Sequence, residues 1–394
     1  MNLRQLFLQH VAQTSPQPLG LEIVKAKGSR LWDKDGKEYI DLIAGISVAN
    51  IGHSHPEVVK AIKQQAEKYL HILVYGEMIE SPEVLYAKML TDHLPAHLNS
   101  VYFTNSGAEA VEGAMKLAKR YTGRPQVAAF NKSYHGSTQG ALSILGDEYW
   151  RNAYRPLLPG IQHLEYNEDA SLEQITEKTA AVFVEMVQAE RGVYAGRKEW
   201  LQSLRKRCTE TGTLLIIDAI QTGFGRTGTL WGFEHAGIEP DILLLGKALG
   251  GGLPLGAFIC NREIMWAFTH QPVLGHITTF GGHPLCCAAG MAAMKVLLEK
   301  NYTGKVNAGK ELFVKYLKHP SIKAVRAEGL LIAVEFESFE YCKKVIDHAI
   351  EGGVLTDWFL FGSNCLRIAP PLSITPKEIQ KSCSVILEAI ERAG

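Results

Sequence analysis

The clearest pattern in the chain is a set of short, unbroken apolar runs separated by stretches of helical period. Leu214–Ile217 and Ile242–Leu245 contain no polar residue, which predicts strands buried on both faces, as in a parallel sheet. VYFTN at 101–105, Gln126–Asn131 and Ala180–Val187 read as further strands. Between the first two of these, Ala110, Ala114, Leu117, Ala118 and Tyr121 recur at a spacing of about 3.6 residues and predict a helix over Ser106–Tyr121. Helical patterns also cover Pro56–Leu70 and Pro82–Leu94. This alternation predicts a mostly parallel, helix-covered sheet.

The two ends have a different texture. Residues 22–44 alternate apolar and polar positions around Asp35-Gly36, predicting a β-hairpin or meander. Pro284–Glu299 predicts a long apolar helix with proline at its start. After it, GLLIAVEFES, a helix over Phe339–Glu351, CLRIAP and a last helix following Thr375-Pro376 predict a smaller α+β region. No repeat or low-complexity linker is visible.

Composition narrows the function classes. The 394 residues hold two to three domains' worth of material, with 46% hydrophobic and 21% charged positions. Because 41 Lys and Arg balance 41 Asp and Glu, no general attraction to nucleic acid or an anionic membrane is expected. The first twenty residues lack the apolar core of a signal peptide, and no run approaches the ~18 apolar residues of a membrane span, so a cytoplasmic protein is expected. The seven cysteines form no C-x-x-C pair, and Cys286 and Cys287 lie within an apolar helical pattern, which predicts buried, reduced thiols.

Candidate chemistry gathers at the ends of the apolar runs. Asp218 closes the first run and Lys247 follows the second after one glycine, so both belong at carboxyl ends of sheet strands, where open α/β sheets bind ligands. A lysine desolvated there has the lowered pKa that Schiff-base formation needs, though a strand-end lysine snorkelling to solvent fits the position equally. Ser106-Gly107-Ala108 joins a strand to a helix, with Glu109 completing a capping box. That arrangement suits a phosphate cup, or an ordinary capped helix with nothing bound.

Other matches carry less. Gly223–Gly228 fits G-x-G-x-x-G, but Gly232, Gly237 and Pro240 spoil the helix that a dinucleotide site requires. Asp241 and Ala248 stand where a P-loop around Gly246-Lys247 needs Gly and Ser or Thr. His53 and His55 lack the partners of a metal site and read as surface or helix-opening residues, so no metal is expected. His135 and His276 are ambiguous alone.

Taken together, Asp218-Ala-Ile-Gln-Thr-Gly-Phe-Gly-Arg-Thr-Gly228, the Lys247 segment and Asn105-Ser-Gly-Ala-Glu-Ala110 resemble the class III pyridoxal-phosphate (PLP) aminotransferases, the group of acetylornithine and ornithine aminotransferases. The resemblance runs from about Leu21 to Leu387. It implies an α/β, fold-type I PLP transferase: a large domain over 51–285 with a mostly parallel seven-stranded sheet, and a smaller α+β domain. That domain is built from 1–50 and, with a linking helix, 286–394. It also implies that Lys247 holds the cofactor as a Schiff base, that Asp218 pairs with the pyridine nitrogen, and that Ile220 and Tyr134 sandwich the ring. Gln221 bonds the phenolic oxygen; Ser106, Gly107 and Ala108 bind the phosphate; Glu185 and His135 lie close to the cofactor. Thr279 reaches the phosphate of a neighbouring subunit, so a homodimer with shared active sites is implied. Arg367 grips a substrate carboxylate, and Glu190 pairs with it when an ω-amine occupies the site.

The implied reaction is ping-pong transfer of an amino group from an amine or ω-amino acid to a 2-oxo acid such as 2-oxoglutarate. Decarboxylases, racemases and aminomutases use the same fold and cofactor, and a nicotinamide oxidoreductase rests only on the glycine match. The chain also departs from the family: Ser137 replaces a usual arginine, Ala219 a glutamate, Met186 a proline, and Arg191 a common glycine. These changes bear on the amino donor.

Overall fold

The computed structural model describes residues 2–74 and 76–394. Its centre is a seven-stranded sheet, in spatial order Ser100–Thr104, Gly256–Cys260, Ile242–Leu245, Leu214–Asp218, Thr179–Glu185, Gln126–Phe130 and Ile161–Leu164. Six strands run parallel, and Gly256–Cys260 alone is antiparallel to both neighbours. The all-apolar runs occupy the middle, where every residue of Leu214–Asp218 and Ile242–Leu245 is buried. The helix Gly107–Thr122 covers one face through Ala110, Val111, Ala114, Met115, Leu117 and Ala118.

The strand expected over Ala180–Val187 instead spans Thr179–Glu185, and Val187–Gln188 pairs antiparallel with Tyr194–Ala195. That small hairpin turns the chain through residues 189–193 and carries Glu190 out of line with the sheet. Two strands of the central sheet escaped the apolar pattern. Ile161–Leu164 interleaves Gln162 and His163 with its apolar residues, and Gly256–Cys260 opens on two small residues.

The predicted meander is present as Ile23–Lys27, Arg30–Asp33 and Glu38–Asp41, with Val354–Leu355 added in parallel at its edge. A three-stranded antiparallel sheet joins Ala324–Glu328, Leu331–Glu335 and Cys365–Ile368. The apolar helix forms over Pro284–Glu299 as expected, and its Cys286 and Cys287 are among seven buried free cysteines. Among the described residues, no helix is long and apolar enough to cross a membrane.

The lesser motifs resolve into structural roles. His55 opens the helix Pro56–Ala66 by accepting from the Glu57 N–H, while His53 Nε2 lies 2.7 Å from Asp41 Oδ2. Gly223–Gly228 is a run of turns followed by a single 3-10 turn over Gly232–His235, with no α-helix behind it. The capping box at Ser106 is only half made. Ser106 Oγ accepts from the Glu109 N–H at 3.2 Å, but the Glu109 carboxylate reaches past the cap to the Asn105 N–H at 2.7 Å.

Candidate active site

The six parallel strands turn their carboxyl ends to one edge of the sheet. Asp218 stands in register with Glu185 on one neighbour and Leu244 on the other, so the two carboxylates emerge side by side. The adjoining cavity, about 300 Å³, is lined by Gly107, Ala108, Tyr134, Glu185, Glu190 and Lys247, together with His135, Asp218, Ile220 and Gln221. Of the residues implied by the resemblance, Ser106, Thr279 and Arg367 lie outside this lining. Ser106 is the exposed N-cap of the helix behind Gly107, and Thr279 sits on an exposed loop where its carbonyl accepts from His71 Nε2 at 2.7 Å. Arg367 stands behind Glu190.

Asp218 is fixed from two sides. Its Oδ1 accepts from the Ile220 N–H at 3.0 Å and its Oδ2 from His135 Nδ1 at 2.7 Å. A carboxylate acceptor at Nδ1 places a proton on that nitrogen, and the buried His135 Nε2 has no partner. Lys247 Nζ donates to Gln221 Oε1 at 3.0 Å, leaving the buried Gln221 Nε2 unpartnered. Lys247 also has a backbone φ of +48°, a left-handed conformation that a non-glycine residue keeps only when its surroundings enforce it. Burial pushes its ammonium below the ordinary lysine value, against the opposing charges of Glu190 and Asp218.

Glu185 accepts from the Tyr134 N–H at 3.0 Å. Burial, reinforced by the neighbouring Asp218 charge, raises its pKa well above the ordinary carboxylate range. At Gly107 a Cβ would come within 2.8 Å of Ile220 Cδ1, and only glycine lets the helix N-terminus close against that side chain. The Gly107 and Ala108 N–H groups left open ahead of the Ser106 cap, two unpartnered buried nitrogens and a desolvated lysine near Asp218 fit a phosphorylated pyridine aldehyde.

Behind this wall, Arg367 and Glu190 form a buried bidentate pair, Nη1 to Oε1 at 2.8 Å and Nη2 to Oε2 at 3.0 Å. Burial works against the Glu190 charge, but Arg367 and the Leu360 N–H hold its pKa below the usual value. Sequence reasoning missed a second carboxylate here, Asp357, whose Oδ1 lies 2.9 Å from Arg367 Nε. Its signal was a lone acid in the aromatic run Asp357-Trp-Phe-Leu-Phe361. Arg191 is half-buried and outside the lining of the Lys247 cavity. It donates to Gln188 Oε1 at 3.3 Å and lies 4.5 Å over the Tyr194 ring.

The chain matches the family model Aminotransferase class-III over residues 11–390. It is 41% identical over 389 residues to the acetylornithine aminotransferase of Methanosarcina mazei, spanning 97% of this chain and 94% of that one. To the acetylornithine aminotransferase of Methanopyrus kandleri it is 40% identical over 377 residues, spanning 94% and 95%. The ornithine aminotransferase of Toxoplasma gondii, seen with partial occupancy of PLP at its active site, superposes with a TM-score of 0.91 at 31% identity, covering 99% of this chain and 93% of that one. The fold expectation is thereby met, and the cofactor is PLP. The chain belongs to the class III aminotransferases.

Proposed function

We propose that the protein moves an amino group from an ω-amino acid or amine, of the acetylornithine or ornithine kind, to 2-oxoglutarate or another 2-oxo acid by two alternating half-reactions. The observation that carries this reading is the Arg367–Glu190 pair beside the Lys247 cavity. A guanidinium fork suits a carboxylate, and a carboxylate already in the fork lets the same site accept a donor that has none. When bound, the cofactor supplies an electron sink for the substrate carbon.

The chain's own groups divide the remaining work. Asp218, oriented by His135, holds a proton on the pyridine nitrogen, and Ile220 and Tyr134 flank the ring. Gln221 serves the phenolic oxygen, and Ser106, Gly107 and Ala108 hold the phosphate at the helix N-terminus. Lys247, freed by substrate, moves the proton between the substrate carbon and the cofactor's C4′ atom. Glu185, held by the Tyr134 N–H, lies near the ring. Thr279 serves the phosphate of a second copy, and its exposure away from its own cavity supports a homodimer with shared sites.

The same reading divides the chain into 1–50, 51–285 and 286–394. The central sheet takes all its strands from residues 100–260, and Val354–Leu355 joins the N-terminal meander, which supports the division. The test is visible absorbance of the purified protein. The band should fall when ornithine or acetylornithine is added and return with 2-oxoglutarate. Release of carbon dioxide without need of an oxo acid would instead indicate a decarboxylase.

A further inference from the structure

Arg367 carries a carboxylate on each of its two edges. Glu190 takes Nη1 and Nη2, and Asp357 Oδ1 stands 2.9 Å from Nε, too poorly aligned to accept a hydrogen bond. Asp357 therefore supplies charge rather than direction. Direction comes from elsewhere, since Nη2 also donates to the Trp358 carbonyl at 3.0 Å and the guanidinium lies 4.4 Å over the Phe359 ring.

The two carboxylates differ in freedom. Asp357 is tied to the Arg367 strand by its backbone, with the Arg367 N–H donating to the Asp357 carbonyl at 2.8 Å and Thr356 Oγ1 donating to the Arg367 carbonyl at 2.6 Å. Glu190 sits on the turn between Val187–Gln188 and Tyr194–Ala195, where its carbonyl accepts from the Phe361 N–H at 2.9 Å, and its freedom lies in a side chain one methylene longer than that of Asp357. A carboxylate entering the fork displaces Glu190, whereas Asp357 stays. Arg367, Glu190, Asp41 and the Cys342 thiol act on Asp357 electrostatically, and Arg367 is the one cation that Asp357 and Glu190 share. Burial, offset by Arg367 and reinforced by Glu190, pushes Asp357 up to about 6.

We propose that Asp357 tunes the carboxylate-binding half of the cycle as a fixed countercharge that loosens the grip of Arg367 on the incoming carboxylate. A bound oxo acid adds an anion to a pocket that retains both Asp357 and the displaced Glu190, and the repulsion from Asp357 falls on the newcomer. Weak binding is what lets Glu190 retake the fork for the next amine. The inference rests on Arg367 as the carboxylate-binding group.

Calorimetric titration of the holoenzyme with glutarate, an unreactive dicarboxylate, tests it. At about pH 8 the Asp357→Asn protein should bind glutarate roughly tenfold more tightly than wild type. The ratio of the two dissociation constants should fall toward one as the pH drops below about 6, where wild-type Asp357 takes up its proton. Equal or weaker binding by Asp357→Asn at the higher pH, or a ratio that ignores pH, overturns the proposal. Should that variant not fold, Asp357→Ser gives the same two readings. Arg367→Gln separates the two levels of failure. If it binds glutarate as wild type does, Arg367 is not the carboxylate group; if it loses binding while Asp357→Asn is unchanged, only the role of Asp357 fails.

Discussion

The Asp218 carboxylate accepts a hydrogen bond from His135 Nδ1 at 2.7 Å, and both side chains are buried. His135 thus holds this carboxylate, and among the described residues no other side chain bonds Asp218 directly. Replacing His135 with Ala removes a hydrogen bond to a charged group, worth about 1.5–3 kcal/mol. PLP should bind roughly ten- to a hundredfold more weakly, as measured by equilibrium dialysis. An unchanged dissociation constant would mean that the pair is only a packing feature.

Lys247→Ala should abolish turnover. Its distinguishing readout is chemical, because borohydride reduction of the wild-type holoenzyme should fix the cofactor mass on the peptide containing Lys247. The variant should lose that label while still binding PLP reversibly. Labelling of a different lysine in the wild type would reassign the role.

The two reactive strand ends were legible because a continuous apolar run ending in a charge has few other physical explanations in an α/β chain. The remainder of the site was less so. Glu190 and Arg367 are 177 residues apart and meet only because a short hairpin turns Glu190 toward the three-stranded sheet. Asp357 lies ten residues before Arg367, with no periodicity that connects them. The strand Gly256–Cys260 is hidden by Gly256, yet a Cβ there would come within 2.1 Å of the Ser106 carbonyl oxygen. Such steric demands come from tertiary approach, which a local pattern does not encode.

Ser137 is exposed on the cavity wall, with its Oγ 3.2 Å from Tyr134 Oη. Ser137→Arg should restore a cation at the position where the family usually has one. A charge-assisted hydrogen bond there, about 1.5–3 kcal/mol, should raise kcat/KM for acetylornithine by at least roughly tenfold. A carboxylate-free amine should gain nothing. Equal gains for both donors would show that the residue acts on something other than substrate charge.

Glu83, on the helix Ser81–Thr91, is pushed up to about 8 by burial, with Glu80 adding to the effect. A carboxyl whose folded pKa lies above its unfolded value of 4.5 favours the native state below that value, and the contribution is lost as pH rises through about 8. Glu83→Gln should therefore be nearly neutral in acid. At about pH 9 it should stabilise by about 2 kcal/mol after allowance for partial exposure. Urea unfolding at the two pH values checks this, and a difference of the opposite sign would contradict it.

Arg226, the one charged residue inside the glycine-rich Gly223–Gly228, is completely buried. Its Nη1 donates to the carbonyls of Leu330 at 2.9 Å and Pro370 at 2.6 Å, and its Nη2 to Asn50 Oδ1 at 2.5 Å. These bonds tie the loop after Gln221 to both terminal parts of the chain. Burial, opposed only by the charge of Asp41, lowers its pKa to about 9, so the hydrogen bonds must offset most of the desolvation. Arg226→Ala would orphan three buried acceptors and should cost roughly 3–5 kcal/mol in denaturant unfolding. Arg226→Lys should recover little, because an ammonium cannot reproduce the planar fork. A loss below about 1 kcal/mol for the alanine variant would mean that water replaces the guanidinium there, and that the loop is held by its backbone alone.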